Sequence, residues 1–277
     1  MGFRIATNVA SLTAQRSLSK VSGKEQTTTA QLASGNRITK SSDDSAGLAI
    51  SEKLRANIRS SQQANRNAND GISMIQVAEG GLDESANILI RLRELAIQSA
   101  SDTIGNTERG YTNMEFSQLK DELQRISQTT EFNDVKLLDG SSESLDFQIG
   151  ANNDDFEDRI VYDPAKINSG LDALGLESEG VDSKEGAQGS LEKIDSAINT
   201  VSGQRAELGA LQNRLITTSS NLETSVENMS AANSRIRDVD YAEVTAKNVQ
   251  NNIMKQAGIS VLTQANQTPQ QALRLIG

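Results

Sequence analysis

A sevenfold repeat of apolar residues in the C-terminal half constrains the fold of this chain more than any other feature. The repeated positions are Ile194, Val201, Leu208, Leu215, Leu222, Met229 and Ile236. We call these seven residues the bundle seam. The companion positions of the same repeat are half polar. Six unbroken heptads predict one long helix, roughly 70 Å in length at about 1.5 Å per residue, that packs in a bundle or coiled coil.

More helix and one β-hairpin are predicted on the N-terminal side of this repeat. A long helix should occupy residues 42–100, because Ser42, Asp43 and Asp44 offer N-capping oxygens and apolar residues again recur at intervals of seven. Alternating apolar residues predict a hairpin at about residues 142–164. The expected fold is therefore mostly α, a long antiparallel helical bundle or coiled coil with one small β-hairpin.

The two terminal segments are helix-permissive but carry apolar residues on one face only. In the C-terminal segment Val249, Ile253, Ala257 and Val261 recur four apart. Two such weakly apolar helices can pair, yet the pair leaves apolar sides uncovered, so other copies of the chain must complete the burial. The residues expected at this polymer interface are Ile5, Val9, Leu12, Val249, Ile253, Ala257, Val261 and Leu262.

Composition argues against an enzyme and against a metal or cofactor site. The chain has no Cys and no His, which removes thiolate and imidazole ligands and the commonest general base. Only 36% of the residues are hydrophobic and 3% are aromatic, a composition that suits long helices better than a large globular core. We therefore expect a non-enzymatic chain with no cofactor.

Charge is concentrated in one part of the chain. Residues 139–185 hold thirteen acids and three bases, which accounts for the whole net charge of −10. This stretch is expected to be a solvated surface, with residues 169–189 as a loop. The remainder is balanced and can pack against copies of itself.

The first forty residues carry six bases and one acid but no interleaved aromatic residues, so we expect no nucleic-acid binding.

Two further patterns in the sequence have a simple structural interpretation. Residues 152–158, NNDDFED, cluster acids and amides as a calcium loop does, but they lack the glycine and the spaced glutamate of an EF-hand. They are expected to form a solvated hairpin tip without metal.

The N-terminus, MGFRIATNVASLTAQRSL, has no secretory signal pattern, and no apolar run is long enough to span a membrane. We expect export by another route and no membrane insertion.

Several long segments, in order, resemble bacterial flagellin. They include LASGNRITKSSDDSAGLAISEKLRA, NANDGISMIQVAEGGLDE, RLRELAIQSA, EFNDVKLLDG, SRIRDVDYAEV and QAGISVLTQANQTPQQAL. The resemblance covers nearly the whole chain. It implies a structural subunit that polymerises into the flagellar filament, the helical propeller for swimming motility.

The resemblance also implies a layered organisation. Residues 1–41 and 237–277 would form an inner tube in which the terminal helices pair as a coiled coil. Residues 42–236 would form an outer helical bundle that carries the hairpin. The variable outer domain of the family would be essentially absent, reduced to a short acidic loop at about residues 169–189, so the chain resembles a minimal flagellin.

The partners implied by the resemblance are other flagellin subunits, the filament cap and hook-junction proteins, and a cytosolic export chaperone at the C-terminal helix. The subunit would leave the cell unfolded through the flagellar type III channel and reside in the extracellular filament. Arg91, Leu95 and Glu115 match positions that contact the host innate receptor in many flagellins. A hook-filament junction protein is the alternative, and an enzymatic flagellin is disfavoured because no domain-sized insertion remains.

Overall fold

The computed structural model describes residues 7–276, with side chains to residue 267. Long helices make up most of this range: α1 (Val9–Ser34), α2 (Ser45–Ala100), α3 (Asn106–Thr129), α4 (Lys184–Arg237) and α5 (Tyr241–Ile276). Between α3 and α4 lie the strands β1 (Glu131–Phe132), β2 (Val135–Lys136), β3 (Leu145–Gln148) and β4 (Arg159–Tyr162), and a 3-10 helix (Pro164–Lys166). The prediction of a mostly α fold is confirmed.

The chain divides into two compact units. The terminal unit comprises Met1–Ala56 and Asn228–Gly277, and the central unit comprises Asn57–Glu227. Both α2 and α4 contribute residues to each unit, whereas α1 and α5 belong to the terminal unit alone.

The core of the central unit joins apolar faces of α2, α3 and α4. Its buried residues include Leu82, Leu89, Leu92 and Leu95 from α2, Phe116 and Leu123 from α3, and Ile194, Val201, Leu208 and Leu215 from α4. A helix presents nearly the same face every seven residues, so sevenfold spacing places these side chains in line. The heptads in α2 and α4 thus supply the core of the unit.

The start of α2 differs slightly from the prediction. The helix begins at Ser45 rather than at Ser42. The Oδ1 atom of Asp44 accepts a hydrogen bond of 2.8 Å from the backbone N–H of Gly47, which makes Asp44 the capping residue. Asp43 instead closes the preceding turn by accepting from the Thr39 hydroxyl and from the backbone N–H groups of Lys40 and Thr39. These bonds lower the pKa of its carboxyl group.

Two small antiparallel hairpins follow α3. β3 pairs with β4, with Leu145 opposite Tyr162 and Gln148 opposite Arg159, at the predicted place. β1 pairs with β2 through a turn at Asn133 and Asp134, whose φ angles of 51° and 64° suit a two-residue hairpin turn. This first hairpin was not predicted, although its Asn-Asp pair between short apolar runs was an available signal.

The acidic stretch is more structured than predicted. The expected loop over residues 169–189 ends early, because α4 already begins at Lys184. Leu174, Leu176 and Val181 are buried in the central core, so the segment is packed and not simply solvated. The Nζ atom of Lys120 also donates hydrogen bonds of 2.8 Å to the backbone carbonyls of Glu177 and Glu179. Burial of its apolar residues and these two bonds hold the connection in place.

Candidate functional site

The helices α1 and α5 pack against each other in antiparallel orientation. At one end the Nδ2 atom of Asn8 donates a hydrogen bond of 2.8 Å to the carbonyl of Ala265. At the other end the hydroxyl of Tyr241 donates to the carbonyl of Leu32 over 3.3 Å. The contact therefore runs along almost the whole of α1.

The side chains between these two helices are mainly polar or small. Ser11, Thr28 and Asn251 are all less than 10% exposed. The hydroxyl of Ser11 donates to the Oδ1 atom of Asn266 over 2.8 Å, and that of Thr28 donates to the Oδ1 atom of Asn248 over 3.1 Å. These two hydrogen bonds satisfy the hydroxyls of Ser11 and Thr28, but such contacts bury little apolar surface.

One ion pair crosses the same contact. The Nζ atom of Lys255 lies 2.8 Å from the Oε2 atom of Glu25. The side chain of Glu25 retains 19% of its exposure and that of Lys255 retains 40%. Among the described salt bridges, this is the one that joins α1 to α5.

Apolar side chains lie on the outward sides of the pair. Val9, Leu12, Val249, Ile253 and Val261 are between 52% and 63% exposed. Ala257 is exposed as well. We call the six residues Val9, Leu12, Val249, Ile253, Ala257 and Val261 the assembly face. The contact between the two helices is thus partly polar, while large apolar residues lie outside it, unlike an ordinary stable helix pair.

Two of the residues expected at the polymer interface stand apart from this face. Ile5 lies outside the described residues. Leu262 is partly buried and lies seven residues beyond Lys255, so it shares the side of α5 that contacts α1. The structure adds two exposed apolar residues that were not predicted, Met254 and Ile259. Met254 could have been found, since it precedes Val261 by seven residues.

The bundle seam is distributed over both units. Ile194, Val201, Leu208 and Leu215 are fully buried in the central unit, and Leu222 is partly buried there. Met229 and Ile236 belong to the terminal unit and are partly buried. Next to them the hydroxyl of Ser51 donates to the Oδ1 atom of Asn233 over 2.8 Å.

The three residues associated with a host receptor have unequal accessibility. An ion pair with 2.7 Å between Nη2 and Oε1 joins Arg91 to Glu115, and both side chains are 48% exposed. The hydrogen bond that the guanidinium donates to this carboxylate raises the pKa of Arg91. Leu95, in contrast, is 2% exposed and belongs to the central core. A partner could therefore reach the two charged side chains but not Leu95 in this conformation.

The acids at the hairpin tip are engaged by the backbone. Asp158 is 5% exposed and accepts from the N–H groups of Asn152 and Asp154 over 3.3 and 3.0 Å. Asp154 accepts from the N–H groups of Glu157 and Phe156, which lowers the pKa of its carboxyl group. In the described part of the chain, no cluster of three or more acids is placed to hold a metal ion. The tip is thus a hydrogen-bonded loop, with Phe156 exposed on it.

No helix in the described range is both long and apolar enough to cross a membrane.

Comparison with known proteins gives consistent matches. The model of the bacterial flagellin N-terminal helical region matches residues 5–143, and that of the C-terminal helical region matches residues 191–276. A flagellin of Halalkalibacterium halodurans is 43% identical over 269 residues, which cover 97% of this chain and 98% of the relative. A flagellin of Bacillus subtilis is 41% identical over 307 residues, covering 99% of both chains. The crystal structure of Bacillus cereus flagellin is similar with a TM-score of 0.50 and 28% identity, covering 61% of this chain and 94% of that one.

Proposed function

We propose that this chain, which belongs to the bacterial flagellin family, polymerises through the assembly face of α1 and α5. As a flagellin it is a structural subunit of the flagellar filament at the bacterial surface, and it is not an enzyme. The relatives matched over nearly the whole chain are flagellins, so the hook-filament junction alternative has no better support.

The observation that carries this proposal is the exposure of large apolar side chains on the outside of the α1–α5 pair. Full burial of a Val, Leu or Ile side chain contributes about 1.5–3 kcal/mol, and the five large residues of the assembly face keep more than half of their surface exposed. An exposed apolar patch of this kind marks an interaction site. In a homopolymer the occupant is the same face of neighbouring copies, so most of the available burial is gained on assembly.

The same reasoning supports the layered arrangement. Residues 1–41 and 237–277 form the inner tube of the filament, where their apolar faces meet those of other copies. Residues 42–236 form the outer layer, which needs no neighbour for its own core because the central unit is already packed. The short acidic segment between the 3-10 helix and α4 stands in the place of the variable outer domain.

Export and capping follow from the exposed apolar residues on α5. An uncovered row of this kind aggregates, so a cytosolic chaperone covers the C-terminal helix before the unfolded subunit enters the flagellar type III channel. In the extracellular filament, hook-junction proteins and the cap cover the faces at its two ends.

Recognition by a host innate receptor uses the exposed side chains of Arg91 and Glu115.

The variant Val261→Asp tests the assembly face. Val261 is 58% exposed on the isolated subunit, so a carboxylate is tolerated there. In the polymer the same charge is buried without a partner, at a cost of several kcal/mol. We expect a normal helix signal and melting temperature for the unpolymerised chain, no sedimentable filaments, and loss of swimming motility.

Val161→Asp is the matched control, because Val161 is 50% exposed on β4 and the substitution is the same. This variant should form filaments. Normal polymerisation of Val261→Asp at neutral pH would show that this part of α5 is not an assembly surface.

A further inference from the structure

The ion pair between Glu25 and Lys255 occupies a seam in which most of the other residues are polar or small. On α1 the seam residues are Ser11, Ala14, Leu18, Val21, Glu25, Thr28 and Leu32, and on α5 they are Val244, Asn248, Asn251, Lys255, Gly258, Leu262 and Ala265. All of them are buried or partly buried, and on both helices they alternate at intervals of three and four. Glu25 and Lys255 are the charged residues of this seam. We propose that they fix the register in which α1 pairs with α5.

Other seam contacts define the native register but do not enforce it strongly. Leu18 lies close to Gly258, where an added Cβ atom would stand 3.4 Å from its Cδ1 atom. Thr28 contacts Asn248 through one hydrogen bond. Hydroxyl and amide groups exchange partners readily, since each can donate and accept. A seam of such residues tolerates several alignments.

A shift of α5 along α1 would separate the two charges. If α5 moved by one heptad, Lys255 would lie opposite Leu18 in one direction and opposite Leu32 in the other. Glu25 would then face Asn248 or Leu262, respectively. At about 1.5 Å of rise per residue, the two charges would be about 10 Å apart along the helices. Each would be partly buried without a counter-ion, which is unfavourable. Only the native register pairs them, and a single polar seam position is known to select register in this way.

Register matters for assembly because the assembly face is built from both helices. A slip of one heptad would displace Ile253 and Val261 by about 10 Å relative to Val9 and Leu12 on α1. The composite face would then no longer match the same face of another copy. This consequence rests on the proposed function, whereas the register itself can be measured separately.

The absence of native cysteine allows a direct measurement of register. In the reporter chain Thr28→Cys/Asn248→Cys, the two cysteines replace a pair of residues whose Oγ1 and Oδ1 atoms lie 3.1 Å apart. The intramolecular disulfide formed under mild oxidation is quantified in the total full-length chain, from its mobility under non-reducing denaturing conditions. Pellet and supernatant are pooled, so that the yield counts polymerised and unpolymerised chains alike.

Three variants are compared in this reporter chain. Glu25→Lys and Lys255→Glu each place like charges opposite one another, and we expect the disulfide yield to fall at least about fivefold. The double variant Glu25→Lys/Lys255→Glu restores an ion pair in the native register and should return the yield to within about twofold of the reporter. Lys20→Glu, at an exposed position off the seam, is the control and should leave the yield unchanged.

Two results would overturn the proposal: single variants that keep the disulfide, or a double variant that fails to recover it. Where a single variant also loses its helix signal, the double variant is decisive, because it should restore both the helix signal and the disulfide. Val261→Asp in the reporter chain separates this test from that of the proposed function. It should keep the disulfide yield and lose sedimentation, and normal sedimentation there would overturn the assembly face while leaving the register result intact.

Discussion

Truncation of Ile253 offers a quantitative test of how much the assembly face contributes to polymerisation. Ile253→Ala removes three carbons. Full burial of three such groups contributes about 2.4 kcal/mol, at about 0.8 kcal/mol for each. Ile253 is 61% exposed on the subunit, so about 1.5 kcal/mol of this is available only to the polymer. Since about 1.4 kcal/mol corresponds to a factor of ten in an equilibrium constant, the critical concentration should rise about tenfold.

The critical concentration is measured as the chain left unpolymerised after filaments are removed by sedimentation. The melting temperature of the unpolymerised chain should hardly change, because the side chain removed is mostly in water. Leu208→Ala should show the opposite behaviour. Leu208 is fully buried in the central core, and loss of such a residue lowers the free energy of unfolding by about 2–5 kcal/mol.

A matched control is available on α4. Ile216 is 48% exposed, lies in the central unit and is outside the assembly face. The same truncation, Ile216→Ala, should leave the critical concentration within about twofold of the unmodified chain. The reasoning is refuted if Ile253→Ala polymerises at an unchanged critical concentration, or if both truncations raise it equally.

Two further predictions concern the unpolymerised chain. In amide hydrogen exchange at low concentration, residues 7–41 and 240–276 should exchange much faster than α4 near Leu208, because the α1–α5 pair is only weakly held without other copies; equal protection throughout would contradict this. The second concerns pH: a hydrogen bond of 2.8 Å from Lys184, together with its charge, lowers the pKa of Asp102 below its ordinary value of 3.8. Because the pKa of Asp102 is lower in the folded chain than in the unfolded chain, its ion pair stabilises the fold at pH values above the unfolded pKa. This stabilisation is lost as the pH falls through the folded pKa. Asp102→Asn should therefore weaken the acid dependence of the melting temperature, and an unchanged dependence would argue against the pair.

Sequence periodicity was sufficient for the long helices and for the central core. The bundle seam in α4 and the sevenfold spacing in α2 identify helical faces without any knowledge of their partners, because the repeat length alone fixes which side chains line up. The four buried seam residues from Ile194 to Leu215 show this. The prediction for the acidic segment failed for the complementary reason. Net charge describes the whole segment, whereas its structure is decided by three apolar residues, Leu174, Leu176 and Val181.

The polar seam could not be found by searching for apolar periodicity. Asn248, Asn251, Lys255 and Gly258 keep heptad spacing, but they leave no hydrophobic signal at that spacing. Recognising Lys255 as a seam residue requires its partner Glu25, some 230 residues away, and therefore the tertiary structure. For the same reason Leu262 was grouped with Val261, although the structure places it on the side of α5 that contacts α1. Adjacent residues on a helix point in different directions, and only the partner shows which of them is inside.

The α1–α5 pair divides two tasks between two surfaces, the seam and the assembly face. A hydrogen bond such as that between Thr28 and Asn248 contributes about 0.5–1.5 kcal/mol, whereas ordering the backbone of each residue costs about 1–2 kcal/mol. The seam alone therefore cannot hold the pair strongly, but its single ion pair can select one alignment. The assembly face can supply the missing free energy, yet a row of apolar side chains has little power to choose an alignment by itself. Neither surface is sufficient without the other, so changes in the seam should alter where α5 lies on α1, while changes in the assembly face should alter only how strongly copies associate.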